Sequence, residues 1–337
     1  MKKTKICFHA RGIKDNFKLI DFYSNDIKIL EELGYDVHLS WKTSTISFNC
    51  DAYYIWWWSS GIIPLLIAKL RRKPAIMIGN IHLQDQSIQG YYSRPFYIRF
   101  FIKFSLKFSD VQLTTSKIEL EGIIKLGAKK PHFIYHAIDV NKYEFSPVEN
   151  RKNFLLCVSR FFMFNIKRKK LIELLFAFSK IHTQIPDYQL VLVGNKDDDG
   201  FEYLMSEIKK LNLTDKVILP GFISEIEKLE LYKKCCLYLQ PTEYEGFGMA
   251  IAENMASGSP IITSKKGAVE EIADGCVMFV DPNNPEEIAN GIISLIYDVQ
   301  LRKQFSEKGR LRIIKSFQIE NRKLAIKELF DSLFNVK

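Results

Sequence analysis

Residues 240–264 read QPTEYEGFGMAIAENMASGSPIITS. A short apolar strand, Leu237 to Leu239, leads into a loop with two glycines, Gly246 and Gly248. The spacing predicts a helix from about Met249 to Ala256, stopped by Gly258. A glycine-softened loop at a helix start lets backbone N–H groups approach an anion, and the helix dipole favours negative charge there. Glu245 stands before the turn and Glu253 one turn into the helix. Ala250 and Glu253 are separated by about 4.5 Å of axial rise, so one ligand of modest size could touch the amides and both carboxylates. Amides suit phosphate and carboxylates suit paired sugar hydroxyls, so the combination predicts a nucleotide-sugar site.

Outward from this stretch the chain alternates strands and helices. Expected strands are Ile6–Ala10, Val37–Trp41, Ala52–Trp56, Ala75–Ile78, Val111–Thr114 and Phe133–Tyr135, with a helix from Asn16 to Leu33 and others near 61–72, 95–108 and 117–126. Beyond Pro147 the pattern restarts with a strand Phe154–Ser159, a helix Lys169–Ile181, a strand Gln189–Gly194, a helix near 201–211 and a strand Val217–Leu219. Further strands fall at 237–240, 260–263 and 276–280. This rhythm predicts α/β architecture with parallel sheets and crossover helices. The restart marks a boundary between two doubly wound domains, 1–148 and 149–317.

The 337 residues, 47% hydrophobic, suffice for two cores. No apolar run reaches the roughly 18 residues of a spanning helix, and MKKTKICFHA reads as a first strand rather than a signal peptide. Six scattered cysteines without a C-x-x-C pair point away from zinc or a disulfide framework and towards a reducing cytoplasm. Of the formal charge of +9, residues 1–150 carry +7, from 21 Lys/Arg against 14 Asp/Glu. That asymmetry points to an anionic partner surface on the first half. The surplus is modest and no recognition motif accompanies it, so nucleic acid is not expected as a partner.

The segment Glu245-Gly246-Phe247-Gly248-Met249, then Glu253, then Gly258-Ser259-Pro260, resembles the retaining GT-B glycosyltransferases of family 4, the glycosyl transferases group 1. Two glutamates with seven residues between them, a small-residue helix and a G-x-P strand start are their hallmark. The resemblance implies two Rossmann-like domains with an interdomain cleft, and a C-terminal helix, about 318–337, packing back on the first domain. It implies transfer of a hexosyl unit from a nucleoside-diphosphate sugar to a glycan or lipid-linked acceptor, with retention and without a metal or other cofactor. Glu253 would accept the ribose hydroxyls, Glu245 would meet the donor sugar, and the backbone of Gly246, Phe247, Gly248, Met249 and Ala250 would lie near sugar and phosphate. Gly221, Phe222 and Ile223 fall in the loop that contacts the base.

The same resemblance makes Arg160 and Lys169 the cations that neutralise the leaving diphosphate. Ser159 stands where the family has glycine, and Lys170 replaces the glycine after the lysine, which leaves Lys169 and Lys167 as alternatives. Read by residue type alone, Lys167-Arg168-Lys169-Lys170 is a solvated basic turn. His82, in Asn80-Ile81-His82 after a strand, matches the position of a histidine facing the reacting sugar. Asp197-Asp198-Asp199 precedes a helix start, where acids meet the dipole, and is not taken as a metal site. A GT-B epimerase or hydrolase, or a non-catalytic partner subunit, would share parts of this pattern.

Residues 91–110, YYSRPFYIRFFIKFSLKFSD, combine bases and aromatics. Arg99, Lys103 and Lys107 recur every four residues, with Phe96, Phe100, Phe104 and Phe108 running beside them. Such a helix is either an interfacial element on anionic lipid, making the protein peripheral on the inner face of the cell membrane, or a packed helix with one wet basic face. Trp56-Trp57-Trp58 leaves core, acceptor platform and membrane contact open.

Overall fold

The computed structural model describes residues 3–86 and 89–334. Met1, Lys2, Ser87, Ile88 and the last three positions of the expected C-terminal helix, 335–337, lie outside the described residues. The chain falls into two compact units, Met1–Ala137 with Phe317–Lys337, and Ile138–Ser316.

The first unit is built on β1 (Lys5–His9), β2 (Asp36–Ser40), β3 (Ala52–Trp56), β4 (Ala75–Ile78), β5 (Val111–Thr114) and β6 (Pro131–Phe133), in the order β2-β1-β3-β4-β5-β6. All pairings are parallel. Helices cover both faces, so β3, β4 and β5 are buried along their whole length, and β3 and β4 read as continuous apolar runs. Alternate residues feed two cores: Phe8, Tyr54 and Trp56 on one face, Cys7, Tyr53, Ile55 and Trp58 on the other. Trp56 and Trp58 are therefore core residues. The Ile319–Phe334 helix contributes Ile326, Leu329 and Phe330 to the first of these cores. Its Arg322 makes a buried two-point pair with Asp26, at 2.5 and 2.9 Å, and donates to the carbonyls of Ile134 and Tyr135.

Two local expectations are corrected. The helix over 16–33 is broken at Ile20, whose backbone is extended, into Asn16–Leu19 and Asp21–Glu32. A continuous helix would turn Phe17 and Tyr23 about 120° apart; the break brings both rings into one core, 6.0 Å apart. The edge strand β6 begins at Pro131 rather than 133. Its register is fixed where Lys130 and Gln112 exchange hydrogen bonds.

The second unit holds β7 (Lys152–Val158), β8 (Gln189–Val193), β9 (Val217–Gly221), β10 (Cys235–Gln240), β11 (Ile261–Thr263) and β12 (Met278–Phe279), all parallel. Their order is β12-β11-β10-β7-β8-β9. Strand order therefore reverses between β7 and β10, which makes the crevice outside their carboxyl ends the place where such sheets hold ligands. The segment preceding β7 belongs to this unit. Arg310 donates to the carbonyls of Val140 and Tyr143, and Arg151 to those of Ser146, Ser257 and Cys235. All six cysteines are buried thiols. Among the described residues no helix is long and apolar enough to cross a membrane.

Candidate functional site

The loop after β10 and the loop after β7 meet at the reversal of strand order. β10 is buried throughout and delivers Gln240 to the mouth of the sheet. The chain then turns through Glu245-Gly246-Phe247-Gly248 into the Met249–Ser257 helix. Gly248 caps this helix with φ of 96°, a left-handed conformation that costs a side chain dearly. Gly267 approaches so closely that a Cβ there would collide with the Glu245 carbonyl. Ala268 donates its N–H to that carbonyl at 2.8 Å. The Glu245 turn is thus clamped from the far side by the loop after β11.

Both glutamates are nearly buried, and each is held by its own set. Glu245 accepts from the Gln240 amide at 2.9 Å and lies 3.7 Å from the Arg168 guanidinium. Gln240 is itself fixed by the Tyr238 hydroxyl, which donates to its amide oxygen at 2.7 Å. Glu253 accepts from the Tyr232 hydroxyl at 3.1 Å and has the Lys228 ammonium 3.7 Å away. Burial and the Glu253 carboxylate push the Tyr232 phenol well above its ordinary value, so it stays a donor.

On the β7 side, Arg160 is open, with 63% of its side chain exposed. It stacks over the Phe162 ring at 4.7 Å, and its Nε lies 3.5 Å from Asp198. Asp198 also accepts from the Phe161 N–H at 2.7 Å, and Asp199 from the Met163 N–H at 2.8 Å. This corrects the reading of the acidic triplet. Its carboxylates satisfy the loop after β7 and the first N–H of the Met163–Arg168 helix, while the helix that follows the triplet has Gly200 at its cap with no side-chain hydrogen bond. Among the described residues no cluster of three His, Cys, Asp or Glu side chains is placed to hold a metal ion.

The basic turn is also corrected. Only Lys167 is exposed. Arg168 is drawn inward, reaching the Tyr244 carbonyl at 3.2 Å as well as Glu245, while its own carbonyl accepts from the Glu243 N–H. Lys170 adopts a left-handed conformation, φ 52°, which explains why glycine suits this position; its ammonium is taken up by Glu243, Glu173 and Asn283. Lys169 is half-buried and has no hydrogen-bond or ion-pair partner for its ammonium among the described residues. Burial pushes the Cys157 thiol up to about 12, with Lys169 pulling it down and Glu245 pushing it up. Both charges therefore lie within electrostatic reach of one buried sulfur on β7. Arg168, Tyr232 and Lys228 carry no signature of these roles in the sequence. Gln240 alone gave a usable signal, as a polar residue closing a buried apolar strand.

Gly221 ends β9 with φ of 90°, and Phe222 beyond it is 83% exposed, with Ile223 half-buried. The Lys196 stem lies over Gly221, close enough to crowd any Cβ there.

In the first unit, His82 lies past the end of β4 on the wall of a cavity of about 440 Å³, with Trp57, Trp58, Asn80 and Arg94. Its backbone is left-handed, φ 58°. The Glu119 carboxylate holds it there by accepting from its N–H at 3.1 Å, and its Nδ1 lies 3.7 Å from Asp85. Trp57 is left-handed as well, and its indole donates to the Tyr23 hydroxyl at 2.5 Å.

Two parallel six-stranded sheets, each wrapped by helices, with the strand order of the second reversing between β7 and β10, define the GT-B architecture. The same architecture is seen in Anabaena Alr3699/HepE, solved with UDP and glucose, at a TM-score of 0.79 and 20% identity over 98% of this chain and 100% of that one. The chain belongs to the glycosyl transferases group 1 family, whose sequence pattern matches residues 140–312. It is 28% identical over 226 residues to N-acetylgalactosamine-N,N'-diacetylbacillosaminyl-diphospho-undecaprenol 4-alpha-N-acetylgalactosaminyltransferase of Campylobacter jejuni, covering 64% of this chain and 58% of that protein's length. It is 24% identical to N-acetyl-alpha-D-glucosaminyl L-malate synthase of Bacillus anthracis, over 93% of this chain and 83% of that one.

Proposed function

We propose that the protein is a retaining, metal-independent glycosyltransferase that moves a hexosyl unit from a nucleoside-diphosphate sugar to a glycan or lipid-linked acceptor. The observation that carries this reading is the pair of nearly buried carboxylates, Glu245 and Glu253, on either side of a helix start whose cap residue, Gly248, has no side chain to occupy it. Glu253 accepts the ribose hydroxyls and Glu245 meets the donor sugar. The amides from Gly246 to Ala250 approach sugar and phosphate, and Gly221, Phe222 and Ile223 border the base. Arg160 and Lys169, the latter without an ion-pair partner among the described residues, take up the charge of the departing diphosphate. That is electrostatic stabilisation of developing charge, and it replaces a metal ion. His82 is assigned to the reacting sugar on the family resemblance.

The Campylobacter relative is named for a diphospho-undecaprenol acceptor, which favours an acceptor of cell-surface polysaccharide, lipopolysaccharide or glycolipid assembly. A lipid-linked acceptor places the protein on the cytoplasmic face of a membrane, bound peripherally.

A melting-temperature screen with UDP, GDP, ADP, CMP and their sugar conjugates, with and without Mg²⁺, tests the donor site, because a ligand that binds only the folded state must raise that temperature. One nucleotide should stabilise the protein equally in both conditions. NMR of the glycoside made from that donor should show the donor's own anomeric configuration. A shift seen only with Mg²⁺ would overturn metal independence, and an inverted product would overturn retention. Free or epimerised sugar without glycoside would overturn transfer.

A further inference from the structure

The Phe96–Phe108 helix of the first unit buries a narrow stripe only. Ile102, Ser105 and Leu106 face inward, and Ile98 and Phe104 pack partly against the core. Phe96, Tyr97, Phe100, Phe101 and Phe108 are all exposed, Phe96 by 77% and Phe100 by 62%. At 3.6 residues per turn, these rings and the exposed Lys103 and Lys107 occupy one arc of roughly 160°. The lysines flank Phe96 at one edge of the arc, and Phe100, Tyr97, Phe108 and Phe101 take the remainder. The Ile62–Leu70 helix packs beside it and exposes Ile63, Leu66 and Leu70, ending in exposed Arg71 and Arg72. Single exposed apolar residues are ordinary, but so many on two adjoining helices are not.

We infer that these two helices form a face that docks on a phospholipid bilayer, with the aromatic rings seated at the boundary between headgroups and acyl chains. The chemistry of the face selects this occupant. It is mainly apolar, with cations at one edge of the arc and at the end of the Ile62–Leu70 helix, which matches a surface offering apolar depth beneath a layer of phosphates. Self-association across a two-fold axis would gather Lys103, Lys107, Arg71 and Arg72 of both copies into one interface, where like charges repel. The basic stripe contributes only its outer part, since Arg99 is half-buried. Apolar insertion, not charge, therefore carries most of the affinity. The inference rests on the proposed function only for the reason the protein needs a membrane, and docking is measurable without turnover.

The test is flotation of the full chain with vesicles of phosphatidylcholine and phosphatidylglycerol in equal parts, at low salt and at about 1 M salt, where charges are screened within about 3 Å. The wild-type protein should float in both conditions. Replacing Phe96, Phe100 and Phe101 with serine should lower partitioning by at least about tenfold, while Lys103→Gln with Lys107→Gln should lower it on the order of fivefold per charge, at low salt only. Unchanged circular dichroism and melting temperature would show that the variants fold. Flotation of the triple serine variant at the wild-type level would overturn the inference, as would complete release of the wild type at high salt. Failure of the wild type to float, with dimers lost in the serine variant, would assign the face to a second copy instead.

Discussion

Arg168 lies 3.7 Å from Glu245, and each side chain is only 12% exposed. The same arginine ties three segments together. Its guanidinium reaches the Asn165 side chain and the Tyr244 carbonyl at 3.2 Å, and its own carbonyl accepts from Glu243 and Thr242. The carboxylate assigned to the donor sugar is thus oriented by a cation from the loop that also carries Lys169. Truncating one partner of such a buried pair costs about 1–3 kcal/mol or more, since the other charge is left uncompensated.

From this pair, Arg168→Met should lower kcat/KM on the order of tenfold to a hundredfold. Lys169→Met should lower it as well, by removing charge from the leaving group. Lys167→Met should leave it unchanged, because that side chain is exposed and unpartnered among the described residues. Steady-state kinetics of the three variants would decide the matter; a loss confined to Lys167→Met would reverse the assignment.

Glu253 takes part in a smaller network, with Tyr232 and Lys228. Glu253→Ala should weaken nucleotide affinity by about 1–3 kcal/mol and keep the circular dichroism of the wild type. Titration calorimetry with the stabilising nucleotide measures this. Equal affinity would remove its role at the ribose.

The Arg322–Asp26 pair joins the C-terminal helix to the first unit, with the Tyr54 hydroxyl donating to the same carboxylate at 2.8 Å. Arg322→Leu strands a buried carboxylate and should cost about 3–5 kcal/mol. Urea unfolding should then show a lower midpoint. Arg322→Leu combined with Asp26→Leu should recover part of that loss.

Two histidines of the first unit make stability depend on pH. Burial, with Arg11 nearby, pulls His9 down to about 4, and burial with Arg322 nearby holds His136 well below its ordinary 6.5. Above pH 6.5 both are neutral in the folded and unfolded chain, so their contribution is complete and flat. Below it the unfolded chain binds protons that the folded one refuses. Stability should fall by up to about 1.4 kcal/mol per pH unit for each group, until pH 4 for His9 and further for His136. Melting temperatures between pH 7 and pH 4 would show the decline, and His9→Gln should flatten it.

The sequence by itself determined the α/β architecture and the position of the turn. Strands such as β3 and β4 are short apolar runs between turn signals, and the two glutamates sit on one strand–loop–helix unit that is contiguous in sequence. Tertiary structure alone decided which cations belong to that turn. In Lys167-Arg168-Lys169-Lys170 the four residues look equivalent. The chain's path sends Arg168 to Glu245 and Lys170 to Glu243, leaving Lys169 without a counter-ion among the described residues. It likewise decided that the rings of the Phe96–Phe108 helix face outward. Helical periodicity lays down the arcs of such a helix, but which arc is buried depends on what packs against it. Local spacing is written in the sequence; the choice among residues of one chemistry is settled only by partners that folding brings together.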